Sequence, residues 1–515
     1  MKNSIKWGIT AGAHDASIAV IRDNQILFAA HAERSSRIKN DAWLNTTMIQ
    51  QALEFGEPVS IDWYENTWKK RLRQLTAGQY STAFHKPTPT RQLAHVGVNA
   101  YSVGEILARE SNTDAFLRSS VLRQQDHHHS HAAAGYYTAP FGDAAVLVID
   151  SIGEFETLSV WEGWGSRLKR VWSQRYPHSV GLWYSAMTQR IGLKPNEDEY
   201  ILMGWAALGD PTKYYQRILD DFLYPLSDYD PTVRFRHNLH RGCQWWAPEL
   251  NTPQDYADIA AATQAVYETI FLHLVRHARK MTRSKNLVLM GGCALNCVAN
   301  STAHDFFNNV WIMPNPGDAG SSIGAVAAGQ RDFLEWTGPY LGYNIAGKYP
   351  TNKLLAELKT TRMAGVANGR AEYGPRALGN RSLLADPRGA DVQDLVNTVK
   401  KRQAFRPFAP VIMQEHAQDY FEGCVGPYMQ YTSKCKRPDL FPAIAHYDNT
   451  SRVQTVNKLD HPDLYQLLSR WYSETGCPML LNTSLNIKGE PMVDTEQDAQ
   501  RWHNRYGVKV FTKDD

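Results

Sequence analysis

Four histidines stand within five positions, His127, His128, His129 and His131, and alanines fill 132 to 134. The alanines predict a helix. On a helix His127 and His131 lie four apart on one face, a spacing that lets two imidazoles hold one metal ion. Two imidazoles leave a metal short of ligands. Asp150 ends the apolar run Ala144 to Ile149, which reads as a buried strand, and Asp318 sits in the small-residue turn Gly317-Asp318-Ala319-Gly320-Ser321-Ser322. A carboxylate in such a position is costly unless paired or coordinated. Taken singly, each of these residues reads as a solvated helix end or a turn-forming aspartate. Taken together, the four make a mixed nitrogen and oxygen donor set for a divalent cation.

A second chemistry is written in the basic residues Arg376 and Arg381, within Gly374-Pro375-Arg376-Ala377-Leu378-Gly379-Asn380-Arg381, and Lys400, Arg402 and Arg406. Guanidinium forks suit phosphate oxygens. These charges alternate with Gly, Pro, Leu and Phe, which points to a shaped pocket rather than a solvated face. Ser484, in Asn482-Thr483-Ser484-Leu485-Asn486, adds short polar groups after an apolar run. Gly291-Gly292, after the apolar run Leu287 to Met290 and with Asn296 following, lets a nucleotide approach the backbone closely.

The elements that must position these groups are legible in outline. Trp7 to Thr10, Ala16 to Ile21 and Gln25 to Ala32 read as strands joined by tight turns at Ala11 to Asp15 and Asp23-Asn24. A sheet that opens this way is how actin-like ATPase domains begin. Pro253 to Thr282 predicts a long amphipathic helix with Ala260, Ala261, Val266, Ile270 and Leu274 inward, and Ile323 to Gln330 a further helix. Gly338 to Pro350, rich in Gly, Pro and Tyr and without periodicity, is the candidate linker. No internal repeat is visible.

A chain of 515 residues is too long for one core, so at least two domains are expected. Net charge is +3, so any argument for nucleic acid rests on local patches and not on the total. Six scattered cysteines without a CxxC pair, no signal peptide and no run near the ~20 apolar residues of a membrane helix predict a reduced, cytoplasmic protein without a membrane partner.

The residues also spell a family. GAHDAS from Gly12, ERSSRIK from Glu33, HHHSHAAA from His127, VIDSIGEFET from Val148, EYILMGWAALG from Glu199, GGCALNCVAN from Gly291, GDAGSSIGA from Gly317, AEYGPRALGNRSLLADPR from Ala371, KKRQAFRPFAP from Lys400 and LNTSLNIKGEP from Leu481 run in order along nearly the whole chain. The set resembles the O-carbamoyltransferases of nodulation-factor, cephamycin and aminoglycoside biosynthesis. That resemblance implies an α/β fold: an actin-like ATPase domain of the ASKHA type over 1–340, carrying the metal site, and an α+β YrdC-like domain over 351–515. It implies that carbamoyl phosphate and ATP give carbamoyl-adenylate in the second domain, and that an acceptor hydroxyl takes the carbamoyl group in the first. His127, His131, Asp150 and Asp318 then look like the metal ligands, for iron, magnesium or manganese. His14 and Lys39 look catalytic, Gly291, Gly292 and Asn296 nucleotide-binding, and Arg376, Arg381, Lys400, Arg402, Arg406 and Ser484 the carbamoyl-phosphate and adenylate cradle. Two departures stand out: Ile201 where the family usually has Lys, and Trp205 to Leu208 where it often reads LAPY. Both are expected to border the acceptor.

For the acceptor, 62–91 carries Lys69, Lys70, Arg71, Arg73, Lys86 and Arg91 interleaved with Trp63, Tyr64, Trp68, Tyr80 and Phe84, and 234–246 carries Arg234, Arg236, His237, His240, Arg241, Trp245 and Trp246 without an acid. Basic groups hold phosphates while aromatics stack on an extruded base. The preferred expectation is DNA or RNA bearing 5-hydroxymethylcytosine. The alternatives are a sugar or antibiotic hydroxyl and a transferase of the tRNA threonylcarbamoyladenosine type.

Overall fold

The computed structural model describes residues 4–85, 87–102, 120–403, 405–406 and 408–514. Lys86 and Pro407 lie outside the described residues. The first domain repeats one topology twice. Its first sheet runs Gln25–His31, Ser17–Arg22, Ile5–Thr10, Ser60–Trp63, Ser120–Gln124, Ala100–Ser102. The first three form an antiparallel meander and the others are added in parallel beside Ile5–Thr10. The second sheet runs Arg167–Arg175, Glu156–Trp164, Asp143–Ile149, Asn286–Met290, Asn309–Ile312, again a meander with parallel strands added beyond its first member. This duplicated arrangement is that of an actin-like ATPase, and the repeat lies in topology alone.

Two helices fill the space between the sheets, His127–Tyr136 and Ser321–Gln330. Ala132, Ala133, Ala134, Ile323, Val326 and Ala327 pack with Ala19 and Ile21 of one sheet and Val146, Val148, Val288 and Met290 of the other. The alternate residues Leu147, Ile149, Leu287 and Leu289 face the opposite side of the second sheet. There they meet the long helix Pro253–Met281, whose five predicted inward residues are all buried. That period of two along buried strands is why these segments read as continuous apolar runs.

The two inner helices touch backbone to backbone. A Cβ on Gly324 would stand 1.9 Å from the Ser130 carbonyl oxygen, one residue before His131. A Cβ on Gly8 would stand 1.7 Å from the Ser322 carbonyl oxygen. A side chain at Gly324 pushes the helices apart, and one at Gly8 pushes the strand Ile5–Thr10 off the second helix.

The second domain is α+β. Its mixed sheet runs Gln454–Val456, Ala409–Met413, Met479–Ser484, Arg381–Ala385, Met363–Ala367, Val510–Phe511. The expected linker is corrected here. Tyr340–Ile345 is a strand paired with Gly369–Glu372, with Leu341 in the core of the first domain and Ile345 in that of the second. The Tyr340 hydroxyl donates to the Leu378 carbonyl at 3.0 Å, so this stretch is part of the fold. The domains are docked through donors aimed at carbonyls. Arg37 reaches Met492 and Pro491 at 2.6 and 2.9 Å, Arg370 reaches Leu27 at 2.6 Å, and Asn300 reaches Gln430 at 3.1 Å. Among the described residues no helix is long and apolar enough to cross a membrane.

Gly324→Ala should therefore destabilise the chain by about 3 kcal/mol, the upper range for overpacking a closed contact. Chemical denaturation checks this, and an unfolding midpoint unchanged from that of the wild type would contradict the close approach.

Candidate active site

His127 and His131 lie one turn apart on the first inner helix, as the spacing predicted. Asp150 follows the strand Asp143–Ile149, and Asp318 opens the turn leading into the second inner helix. The structure brings all four together, each offering one ligand atom within 4.8 Å of the others, and all four are buried. His127 Nε2 is 3.1 Å from Asp150 Oδ2 and 3.4 Å from Asp318 Oδ1. His131 Nε2 is 3.2 Å from Asp318 Oδ1 and 3.1 Å from His127 Nε2. Two imidazole nitrogens turned on each other, with two carboxylates beside them, fit a divalent cation. Neither His127 Nδ1 nor His131 Nδ1 has a hydrogen-bond partner, so the rings are oriented by the Nε2 side alone. The backbone helps from two directions: Gly292 N–H donates to Asp150 Oδ1 at 3.1 Å, and the Glu154 carboxylate accepts from His127 N–H at 3.0 Å.

The electrostatics say the same. Burial alone would lower the His127 pKa, but Asp318 and Asp150 outweigh it and raise it well above the usual imidazole range. Burial would raise both carboxyls, yet His127 above all holds Asp150 and Asp318 well below the ordinary carboxylate range. The pocket is built around two anions that need positive charge between them. Protons on the rings can supply it, and so can a cation held by the same atoms.

His14 stands at the open side of this cluster. Its Nε2 is 3.9 Å from Asp318 Oδ2 and its Nδ1 is 3.0 Å from Asp15 Oδ2. Burial works against its charge, but the Asp15 hydrogen bond and the Asp318 carboxylate raise its pKa to about 9. Lys39 sits on the same rim, tied to Glu33 at 2.8 Å rather than to His14. Beyond Gly12 opens a narrow cleft lined by Trp63, Glu65, Lys70, Gln74 and Gln92. The patch read from composition is thinner than expected. Lys69 pairs with Asp126 at 2.7 Å, Lys70 with Glu65 at 2.5 Å, and Arg73 donates to the Glu154 carbonyl at 3.0 Å. Arg236 donates to the Leu223 carbonyl and Trp246 is buried on Asp221. Trp68, Tyr80 and Phe84, in contrast, point outward and are more than 60% exposed.

Gly291 has φ +89°, and a Cβ there would stand 2.3 Å from the Ile149 carbonyl oxygen, so a strand crossing already demands this glycine. Asn296 is turned inward, exchanging hydrogen bonds with Gln264 at 2.9 and 3.1 Å and capping Ala299 N–H. Beside them Ala294, Leu295, Met313, Pro314, Tyr428 and Arg376 line a second cleft of about 240 Å³ between the domains.

Of the basic residues, Arg376, Arg402 and Arg406 do gather. Arg376 is pushed down to about 9 by burial and by Arg452 and Arg406 beside it. Arg402 lies 3.6 Å over the Phe408 ring and donates to the Arg406 carbonyl at 2.9 Å. Among the described residues neither Arg376, Arg406 nor Arg452 has a salt bridge to a carboxylate. Lys400 is buried, and its ammonium is held by Ser484 and Asn486 at 2.5 to 3.2 Å, so it pins that loop. Arg381 is a correction. It is wholly buried, and its guanidinium donates to the Asp494, Asn368, Gly369, Asn380 and Tyr343 carbonyls at 2.9 to 3.2 Å, leaving no fork for a phosphate. Of the two departures, Ile201 is buried, and Trp205 stacks on Phe405 of the arginine loop at 5.9 Å.

Three residues carried no visible signal. Arg452 stands alone in the sequence and joins the cluster only in the fold. Glu372 folds the loop that presents Arg376, its Oε1 accepting from Leu378, Asn380 and Arg381 N–H at 2.7 to 3.2 Å. Tyr373, next to it, reaches into the first domain, where its hydroxyl bonds Ser322 Oγ at 2.8 Å and the Ala319 carbonyl, one residue from Asp318. Consecutive residues thus lie behind both candidate centres, Glu372 folding the loop that presents Arg376 and Tyr373 reaching the residue after Asp318.

A duplicated actin-like domain thus carries a buried His–Asp set near the junction of its halves and is docked on a domain that gathers arginines. The family models for the carbamoyltransferase N-terminus and C-terminus match residues 6–327 and 355–515, and the chain belongs to the carbamoyltransferase family. An uncharacterised Synechocystis protein is 32% identical over 96% of this chain and 93% of its own. Nodulation protein NolNO of Sinorhizobium fredii is 30% identical over 94% and 76%. The 3'-hydroxymethylcephem-O-carbamoyltransferase of Amycolatopsis lactamdurans is 29% identical over 96% and 95%. Among solved structures, HypF of T. kodakarensis aligns with a TM-score of 0.36 at 13% identity, over 64% of this chain and 48% of its own.

Purified protein should carry close to one divalent metal per chain, and His131→Ala should lose most of it. Elemental analysis after gel filtration checks this. Unchanged stoichiometry in the variant would remove these four residues as the ligand set.

Proposed function

We propose that this enzyme makes carbamoyl-adenylate from carbamoyl phosphate and ATP at the arginine cradle and passes the carbamoyl group to an acceptor hydroxyl beside the His–Asp cluster. The observation that supports it most is the pairing of an anion-rich, cation-ready pocket with an arginine cluster through the Glu372–Tyr373 loop. In the first step water releases phosphate from carbamoyl phosphate, a carbamate oxygen forms a bond to the α-phosphorus of ATP, and pyrophosphate leaves. Arg376, Arg402, Arg406 and Arg452 face the phosphate oxygens, where guanidinium forks stabilise charge that grows during transfer. Ser484 and Lys400 shape the floor. The nucleotide reading of Gly291, Gly292 and Asn296 is narrowed to the backbone rim of the interdomain cleft, because the Asn296 amide is held by Gln264.

In the second step the acceptor oxygen bonds to the carbamoyl carbon and AMP leaves. An alcohol is a weak nucleophile at neutral pH. His14 stands at the mouth of the cluster, and Asp15 and Asp318 keep it protonated at neutral pH; a cation held beside Asp318 would offset that carboxylate, lower the His14 pKa and free the ring to take the acceptor's proton. Asp15 on the His14 Nδ1 side orients the ring. Lys39 holds the rim through Glu33. A divalent cation held by His127, His131, Asp150 and Asp318, whether iron, magnesium or manganese, would polarise an oxygen of the reacting group.

For the acceptor we favour a hydroxymethyl group on a flat ring, foremost 5-hydroxymethylcytosine in DNA. The helices beside the cleft, Thr67–Thr76 and Tyr80–His85, expose Trp68, Tyr80 and Phe84 outside it, as stacking surfaces for the bases that flank one brought out of the duplex. The Amycolatopsis relative is named for a hydroxymethyl acceptor on a cephem ring. A free sugar or antibiotic hydroxyl is the second reading. The Glu65–Lys70 pair lining the cleft favours it, since a fixed pair of opposite charges suits a polyol.

Two assays test the scheme. Arg406→Ala should lower carbamoyl-phosphate-dependent pyrophosphate release by about 10²-fold, the usual effect of removing one charge-stabilising donor. His14→Ala should keep pyrophosphate release and lose transfer by about 10²-fold or more. Equal loss of pyrophosphate release in both variants would contradict two separate centres. Incubation with ATP, carbamoyl phosphate and hydroxymethylcytosine duplex, followed by digestion to nucleosides and mass spectrometry, should give a nucleoside heavier by one carbamoyl group. An unmodified nucleoside at low salt, with modification of a free sugar, would replace DNA by the second reading.

A further inference from the structure

We propose that Tyr200 of the first domain is a positioning residue for the arginine cradle of the second, holding Arg406 so that the phosphate site is complete only when the two domains are docked. The inference rests on reading the cradle as the phosphate site of carbamoyl activation. The Tyr200 ring lies under the Arg406 guanidinium, 4.6 Å from the ring centre. Four residues on, Gly204 faces the same loop: a Cβ there would stand at ordinary contact distance, 3.9 Å, from both Arg406 Cγ and the Phe405 ring. Trp205 then stacks on Phe405, with the ring planes 23° apart. One face of the helix Glu199–Trp205 is therefore a clamp on the cradle loop.

The helix is fixed from behind. Ile201 and Leu202 are buried, Glu199 accepts from Ser185 Oγ at 2.5 Å and from Asn196 N–H, and Trp205 abuts Tyr256 of the long helix edge to face. Among the described residues Arg406 has no comparable side-chain support on its own domain. Its backbone N–H donates to the Gln403 carbonyl, while the charged groups nearest its side chain within that domain include Arg452 and Arg402, which repel it. A carboxylate could hold it but would also neutralise it. An aromatic face attracts a guanidinium through its quadrupole and leaves the charge and the fork available to a phosphate. That is the physical reason for a tyrosine here. It also explains why this helix, which departs from the family pattern at Ile201 and Trp205, faces the cradle: each domain supplies part of one anion site.

The test uses the full-length chain and inorganic pyrophosphate as probe, with binding measured by calorimetry at fixed low ionic strength. Tyr200 is 40% exposed, so Tyr200→Ala should weaken pyrophosphate binding about fivefold, the upper range of an exposed cation–π contact, with Tm unchanged. Tyr200→Phe, which keeps the ring, should retain binding within about twofold. In steady-state pyrophosphate release, Tyr200→Ala should raise KM for carbamoyl phosphate more than it lowers kcat. The proposal is overturned if Tyr200→Ala binds pyrophosphate as tightly as the wild type, if both variants weaken equally, if the loss tracks a fall in Tm, or if the wild type binds no pyrophosphate. A wild-type protein that binds pyrophosphate but releases none from ATP and carbamoyl phosphate would instead overturn the carbamoyl reading, and the calorimetric comparison would still decide the role of Tyr200.

Discussion

Asp150 and Asp318 are buried within reach of the same two imidazole nitrogens, and two carboxylates taken out of water together require positive charge between them. Much of the first domain follows from that requirement. Asp150 comes from the end of a strand in the second half of the duplicated fold. Asp318 comes from the turn before one inner helix, and the histidines from the other. Bringing the two helices close enough to share one cation, or one pair of protons, needs the glycine contact at Gly324 and the small residues Ala132 to Ala134. The alanines beside the histidines are thus as much a part of the centre as the histidines. They allow the layer between the sheets to be thin, and a thin layer puts the helix starts and the strand end at one point.

The second centre has the opposite problem. Arg376, Arg402, Arg406 and Arg452 crowd together, and their mutual repulsion with burial lowers the Arg376, Arg402 and Arg406 pKa values. Such a cluster is stable only where carbonyls and aromatic faces hold the side chains in place and an anion completes it. Phe408 and Tyr200 supply the aromatic faces, from different domains. The docking of the domains and the assembly of this pocket are therefore one event. The loop through Glu372, Tyr373 and Arg376 ties it to the first centre, since Tyr373 ends beside Asp318 while Arg376 enters the arginine cluster.

How much of this was legible depends on whether a feature is local. The long helix Pro253–Met281 was readable to within a residue at its C-terminal end because its caps and its apolar period lie within its own sequence. The His–Asp set was readable because a helix places i and i+4 together, and because an aspartate after an apolar strand has few bland reasons to be buried. The duplicated topology was not, because the two sheets share an order of strands and no residues. The strand Tyr340–Ile345 was missed because its partner, Gly369–Glu372, lies far along the chain. Arg381 and Arg376 look equivalent in sequence. Only the fold shows that one is enclosed by five carbonyls while the other opens to a cleft. Arg452 and Tyr200 had no local signal, since each acts through residues on another element or another domain.

The central claim is that the buried carboxylates are neutralised by a bound divalent cation and not only by protons on the rings. Crystals of the protein, measured at and below the absorption edge of the metal found in the purified chain, test it directly. The account predicts one anomalous peak enclosed by His127 Nε2, His131 Nε2 and the carboxylates of Asp150 and Asp318. A metal-bearing protein whose anomalous peak lies elsewhere, with these four groups closed on one another by direct hydrogen bonds, would contradict it.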